Sequence, residues 1–283
     1  MSLVNLFNGL VYGSLLIVMC SGLALIYGLR RVVNFAHGSL YMLGAYIGYS
    51  IASVSNFWVA LVCAPLAMAV FGVLLDRYGF RLLQKREPLS VVLVTFGLLL
   101  VIEDAVQSVW GKANLSIPTP QALDFTVEVL GASLPAYRIG VIVVGLAVAV
   151  GLTLWLRLSK AGLSVRAAST DPVTTAMQGV NTDALSALVV GVGTALAGLA
   201  GVVAGPFLSL SPAMSSDVLI DSFVVVVVGG LGSLMGAFIV AMVLGLVQSF
   251  GAVHLPDSAV LLPFLLMVGI LIWRPEGLAG NRS

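Results

Sequence analysis

The chain has 283 residues, 60% of them hydrophobic and only 9% charged, with a mean hydropathy of +1.12. Soluble domains carry roughly 25% charged residues, so this mixture excludes a water-facing globule. Its 13 Lys and Arg against 12 Asp and Glu leave a net charge of +1, a field too weak to draw in nucleic acid.

A polytopic all-α membrane bundle is what remains. A spanning helix needs about 20 mainly apolar residues, because hydrocarbon offers its backbone groups no partner. The first such run, 5–28, has no basic residue ahead of Arg30, so it lacks the charged leader of a cleaved signal peptide and reads as a retained span. Further spans are predicted at 36–54, 57–76, 89–108, 138–157, 184–205, 234–252 and 257–273. The run 217–230 is shorter and stops at Gly229-Gly230-Leu231-Gly232, as a short or broken span would. The expectation is one transmembrane domain over 1–283 with about 8–9 spans. Cys20 and Cys63 lie in apolar runs and read as small buried hydrophobes rather than a disulfide or metal pair.

Basic residues near span ends favour the cytoplasm. With the N-terminus outside, Arg30, Arg31, Arg77, Arg81, Lys85, Arg86, Arg157, Lys160, Arg166, Arg274 and Arg282 fall inside, and only Lys112 and Arg138 fall outside. Gly38-Ser39-Leu40 with Gly44-Ala45-Tyr46-Ile47 resembles Gly232-Ser233-Leu234 with Gly236-Ala237-Phe238-Ile239. An internal repeat and a chance match of common residues are both open.

The cytosolic connection 159–183 carries a local helix signal. Asp171 suits an N-cap, Pro172 the first helical position and Gly179 the position just past the end. Between them Val173, Ala176 and Met177 follow i, i+3, i+4 spacing, and Val180 extends the stripe. A helix this short is marginal alone, so it needs a surface, either the protein's own span ends or another subunit.

No G-x-x-x-x-G-K-[ST], H-E-x-x-H or G-x-S-x-G string is present, and His37 and His254 lack clustered Cys or His partners. The chain is therefore read as non-catalytic, with no metal and no cofactor of its own. Ionisable residues in spans mark functional sites by default. Asp217 and Asp221 lie at the start of the short span, where the helix dipole favours them; Glu103 reads equally as a structural or a pore-facing polar group. Gly193, Ala197, Gly201 and Gly205 recur every four residues, a smooth face for helix contact or for a narrow route beside it. Gly229, Gly230 and Gly232 with Ser233 read either as an unwound segment or as a turn between spans.

A set of motifs runs along the chain: 22–28, GLALIYG, leads to Val33-Asn34-Phe35-Ala36-His37-Gly38 and Met42-Leu43-Gly44-Ala45-Tyr46. Gly162, Arg166-Ala167, Asp171, Ala176 and Gly179 follow in the loop, then Gly229-Gly230-Leu231-Gly232-Ser233 and the ending Arg274-Pro275-Glu276-Gly277-Leu278. Through these motifs nearly the whole chain resembles the permease subunits of branched-chain amino acid ABC importers, the LivH-like group. The resemblance implies that Asp171, Pro172, Val173, Ala176, Met177 and Gly179 form a coupling helix seated on a cytosolic ATP-binding subunit. Thr170 and Pro172 depart from the more polar residues expected there. It also implies two ATP-binding subunits carrying ATP-Mg, a second permease and a soluble extracytoplasmic binding protein, in a bacterial inner membrane. Asn34, His37, Glu103, Gly201, Gly229, Gly230, Gly232 and Ser233 are the candidate pathway or gating residues. The resemblance implies a branched-chain or other hydrophobic amino acid as the solute, with urea or a short amide as the alternative within the group and an ion-coupled secondary transporter as the alternative outside it.

Overall fold

The computed structural model describes residues 2–83, 86–129 and 132–279. Among these, eleven α-helices follow the apolar runs closely. They are α1 (Ser2–Arg30), α2 (His37–Val54), α3 (Phe57–Leu83, with a π-turn at Asp76–Phe80), α4 (Pro88–Trp110), α5 (Ala136–Leu158), α6 (Lys160–Thr170), α7 (Pro172–Met177), α8 (Thr182–Ala204), α9 (Met214–Gly229), α10 (Leu234–His254) and α11 (Leu262–Trp273). Seven of these segments are long and apolar enough to cross a membrane, the last counted from Pro256. The remaining two of the expected spans are α2 and α9, for reasons given below. The chain is a helical polytopic membrane protein.

Two elements lie outside the helical expectation. A hairpin pairs β1 (Thr126–Val129) with β2 (Ala132–Pro135), Thr126 opposite Pro135. Its strands are too short to show a period in sequence. The connection 159–183 holds α6 as well as α7, where only one short helix was expected; Ser159 caps α6 by accepting the Gly162 N–H at 2.9 Å.

Helices pack through small residues. On α3, Ala60, Ala64, Met68, Gly72, Asp76 and Phe80 are buried, every fourth position, and this stripe lies against α8. Thr194 Oγ1 donates to Met68 O at 2.9 Å across that contact. On α1 and α10 the backbones nearly touch: a Cβ on Gly245 would lie 2.5 Å from Gly13 Cα. Lipid tails are as apolar as leucine, so close packing of this kind holds a membrane bundle together where the hydrophobic effect cannot. The opposite faces are exposed, among them Val62, Leu66 and Val70 on α3. Cys63 belongs to that exposed face, contrary to the expectation that it is buried; only Cys20 is enclosed.

The packing partners reveal an inverted relation between two halves. α1 packs on α10 as α8 packs on α3; α2 on α8 as α9 on α1; α2 on α4 as α9 on α11. The helices α1–α4 thus correspond to α8–α11, with α1 and α8 touching at the centre. Under this relation α2 corresponds to α9, so the Gly38 and Gly232 segments, which open α2 and α10, are not equivalent. The similarity of those strings reflects how common Gly, Ala and Leu are.

α2 and α9 both begin inside the bundle. His37, the first residue of α2, lies with Nε2 2.8 Å from Met19 O. Met19 precedes Arg30 by 11 residues on α1, which places the start of α2 about 16 Å in from that end. Gly38 abuts the backbone of Ser215 in the first turn of α9. Residues 31–36 and 205–213 are therefore re-entrant links, which are tolerated at membrane depth where protein buries them.

Candidate coupling surface and re-entrant site

One end of the bundle carries the turns rich in arginine. There Asp76, fully buried, accepts from Arg30 and, at 3.0 Å, from Ser186 Oγ. Arg81 lies 3.7 Å from the other Asp76 oxygen and 3.8 Å from Asp183. This ion network ties the ends of α1, α3 and α8, and Arg30 also stacks over the Phe80 ring. Lys112 and Arg138 lie at the opposite end, where Arg138 donates to Asn8 on α1 and covers Phe207.

α6 and α7 cross the arginine-rich end. Asp171 caps α7 as its sequence predicts, with Oδ1 accepting the N–H groups of Val173 and Thr174, both at 3.0 Å. Hydrogen bonds from Thr174, hydroxyl first and then N–H, with a further one from the Val173 N–H, hold this carboxyl below its ordinary value of 3.8. Pro172 opens the helix, and Gly179 ends it with φ +85°, a left-handed conformation that favours glycine. Thr175 turns inward, buried, with Oγ1 donating to Asp171 O at 2.7 Å. The apolar stripe faces the other way: Val173 is 62% exposed and Met177 81%, Ala176 is exposed, and only Val180 is partly covered. Of the two surfaces open to this helix in sequence, the protein's own span ends are not the one its stripe uses.

The remaining candidates do not converge on one point. Gly229, Gly230, Gly232 and Ser233 form the turn between α9 and α10 at the arginine-rich end. Gly230 and Gly232 have φ +99° and +88°, and Ser233 caps α10 by accepting the Gly236 N–H at 3.1 Å. The C-terminal segment closes on this turn, Leu278 N–H donating to Val228 O and Ala279 N–H to Gly229 O. A recess of about 710 Å³ then brings Gly232 and Ser233 beside Ser169 and Thr170 at the end of α6. Gly201 packs against α2, where an added Cβ would lie 2.7 Å from Ala45 N and Tyr41 O.

Asn34 and His37 flank the inner end of the first re-entrant link, both buried. Asn34 Oδ1 accepts the Ala36 N–H at 3.1 Å. Glu103 on α4 accepts from Ser215 Oγ, tying α4 to the start of α9. Asp221 departs from the reading that put it at a helix start: α9 begins at Met214, so only Asp217 lies in its first turn. Asp221 is enclosed, accepting from Tyr12 OH at 2.6 Å and Gln248 Nε2 at 3.0 Å. Sequence reasoning missed this three-helix tie; the signal was an acid two residues ahead of the apolar run 223–228 of α9, with polar residues on two other spans to meet it.

A second cavity, about 560 Å³, opens between α1, α4 and the α6–α8 segment. Arg30, Arg31 and Arg86 line it together with Asn34, Thr95, Pro172 and Thr182. Arg31, between the two cavities, adopts φ +53° and donates to Ser169 O at 3.0 Å. A non-glycine residue in this conformation stores strain, and such residues concentrate at functional sites.

Known proteins are similar to this chain over nearly its whole length. The chain is 30% identical to the high-affinity branched-chain amino acid transport system permease protein BraD of Pseudomonas aeruginosa, over 98% of this chain and 95% of that protein. It is 26% identical to the corresponding LivH of Escherichia coli over the same shares, and 23% identical to a probable LivH of Methanocaldococcus jannaschii over 96% and 91%. In fold it is similar to the solved PsaBC from Streptococcus pneumoniae in complex with Fab, with a TM-score of 0.51 at 12% identity, covering 95% of this chain and 91% of that one. The family described as branched-chain amino acid transport system / permease component matches residues 5–271. The chain is a member of that family, the membrane permease subunit of an ABC importer.

Proposed function

We propose that this permease passes branched-chain or similar hydrophobic amino acids inward, driven through α7 by two ATP-binding subunits that hold ATP-Mg. The carrying observation is the exposed stripe of α7: Val173 and Met177 present apolar surface at an end otherwise rich in arginine. Exposed apolar groups outside the bilayer call for a protein partner. A second permease subunit and a soluble extracytoplasmic binding protein complete the assembly, in a bacterial inner membrane. The excess of basic residues supports an orientation with the α6–α7 end in the cytoplasm, the N-terminus outside and the C-terminus inside.

α7 is well placed to transmit force. It is joined to α6 through Asp171 and to α8 through Asn181, whose Oδ1 caps α8 at the Ala184 N–H. α6 is in turn joined to the strained end of α1 through Arg31 and Ser169. Closure of the ATP-binding subunits would push α7 and tilt α1 and α8 together, since Arg30, Asp76 and Ser186 lock those two helices. The re-entrant links containing Asn34 and leading to Ser215 would shift with them, alternating access between the two sides. The few charges within the spans suit a route that passes solute without trapping it.

The test is co-expression with the neighbouring ATP-binding, permease and binding-protein subunits, purification in mild detergent, and reconstitution. The expected result is a complex that takes up leucine, isoleucine or valine only with ATP and the binding protein. Uptake by this chain alone, driven by an ion gradient and indifferent to ATP, would refute the reading.

A further inference from the structure

The 560 Å³ cavity behind α7 lies within the range of about 300–1,000 Å³ of small-molecule sites. Its walls divide by chemistry. Ile26, Leu29, Val33 and Val91 give it an apolar side. Arg31 and Arg86 give it positive charge, and neither is in an ion pair among the described residues. No described lining residue is a carboxylate.

Asn34 supplies the specific contact. It is 4% exposed, and its Oδ1 is committed to the Ala36 N–H, which fixes the amide so that Nδ2 is the free donor. That nitrogen has no partner, whereas Thr95 beside it is satisfied, donating to Val92 O and accepting the Phe35 N–H. A buried donor left unpaired is costly; Nδ2 is closed off in this conformation, and a small shift of the link 31–36 would open it to a carboxylate oxygen in the cavity that also answers the two guanidiniums. The apolar side would receive an aliphatic chain.

We propose that this cavity is a release site for an aliphatic carboxylate, held by Asn34 Nδ2, attracted by Arg31 and Arg86, and closed by the coupling segment. Ala168 and Pro172 at the α6–α7 junction and Thr182 at the start of α8 form part of its wall. Displacement of α7 therefore changes the site directly, and release is tied to the same element that docks the ATP-binding subunit. The proposal rests on the permease reading and adds to it the group of the solute that is recognised and where.

The test uses the assembled permease–ATPase complex in nanodiscs without binding protein, probed by saturation-transfer NMR with L-leucine, isovalerate and leucinamide. Leucine and isovalerate carry the carboxylate and should give saturable signals; leucinamide, lacking it, should give none. Asn34→Asp keeps the oxygen that caps Ala36 but replaces the donor with a charge that repels the ligand, and should weaken leucine binding by about tenfold or more. Arg86→Gln at the rim should weaken it by a smaller factor. ATP hydrolysis by each variant complex verifies that it is folded. Equal signals from leucine and leucinamide, no saturable signal from either, or unchanged binding in a folded Asn34→Asp complex would overturn the site while leaving transport intact. Absence of ATP-dependent uptake by the wild-type complex would instead overturn the permease reading.

Discussion

Replacing Met177 separates docking from folding, because its side chain supports nothing in the permease itself. Full burial of a Met side chain stabilises by about 1.5–3 kcal/mol. With 81% of Met177 exposed, most of that is still available on docking, about 1–2.5 kcal/mol. Met177→Ala keeps only the Cβ, so it should weaken association with the ATP-binding subunit by about tenfold. Met177→Arg should weaken it further, because a guanidinium would be forced against an apolar groove. The assay is titration of the purified ATP-binding subunit onto the permease in nanodiscs, followed by ATP-dependent uptake. Both variants should insert, remain monodisperse and melt as wild type does. Unchanged affinity and uptake in both would refute the docking argument, and loss of affinity accompanied by a lowered melting temperature would show that Met177 supports the fold instead.

Three further outcomes follow from the packing. Asp76→Ala leaves Arg30 without its buried partner and should destabilise by about 3 kcal/mol; the double variant Arg30→Met, Asp76→Leu should recover much of that in thermal unfolding in detergent. Gly201→Leu must displace α2 at Ala45 and Tyr41 and should cost about 1–3 kcal/mol, read as reduced melting temperature and yield, whereas Gly97→Ala, with open space around it, should leave both unchanged. The Asp171 carboxyl is held below its ordinary value by hydrogen bonds in the folded chain. The stabilisation it lends α7 is therefore complete above that ordinary value and lost only as pH falls through the lower folded one. ATP-binding-subunit affinity should accordingly be insensitive to Asp171 between about pH 5 and 8, whereas Asp171→Ala should lower it across that whole range.

Whatever depends on short-range free energies could be read along the chain. Unsatisfied backbone groups are so costly in hydrocarbon that apolar runs had to become helices, and the observed spans fall within a few residues of the runs. The ends of α7 were legible for the same reason, since a cap, a helix-opening proline and a left-handed glycine act within a few residues of one another. Depth was not legible. α2 reads as an ordinary span from 36 to 54, and only the contact of His37 with Met19 shows that it starts inside the bundle. The direction in which α7 turns its stripe, the meeting of Asp221 with Tyr12 and Gln248, and the convergence of Asn34, Arg31 and Arg86 on one cavity were likewise decided by tertiary structure. Each brings together groups tens to hundreds of residues apart. Hydropathy and capping are properties of a segment, but whether a polar group inside a membrane is paired, buried or left open to a ligand depends on which other helix packs beside it.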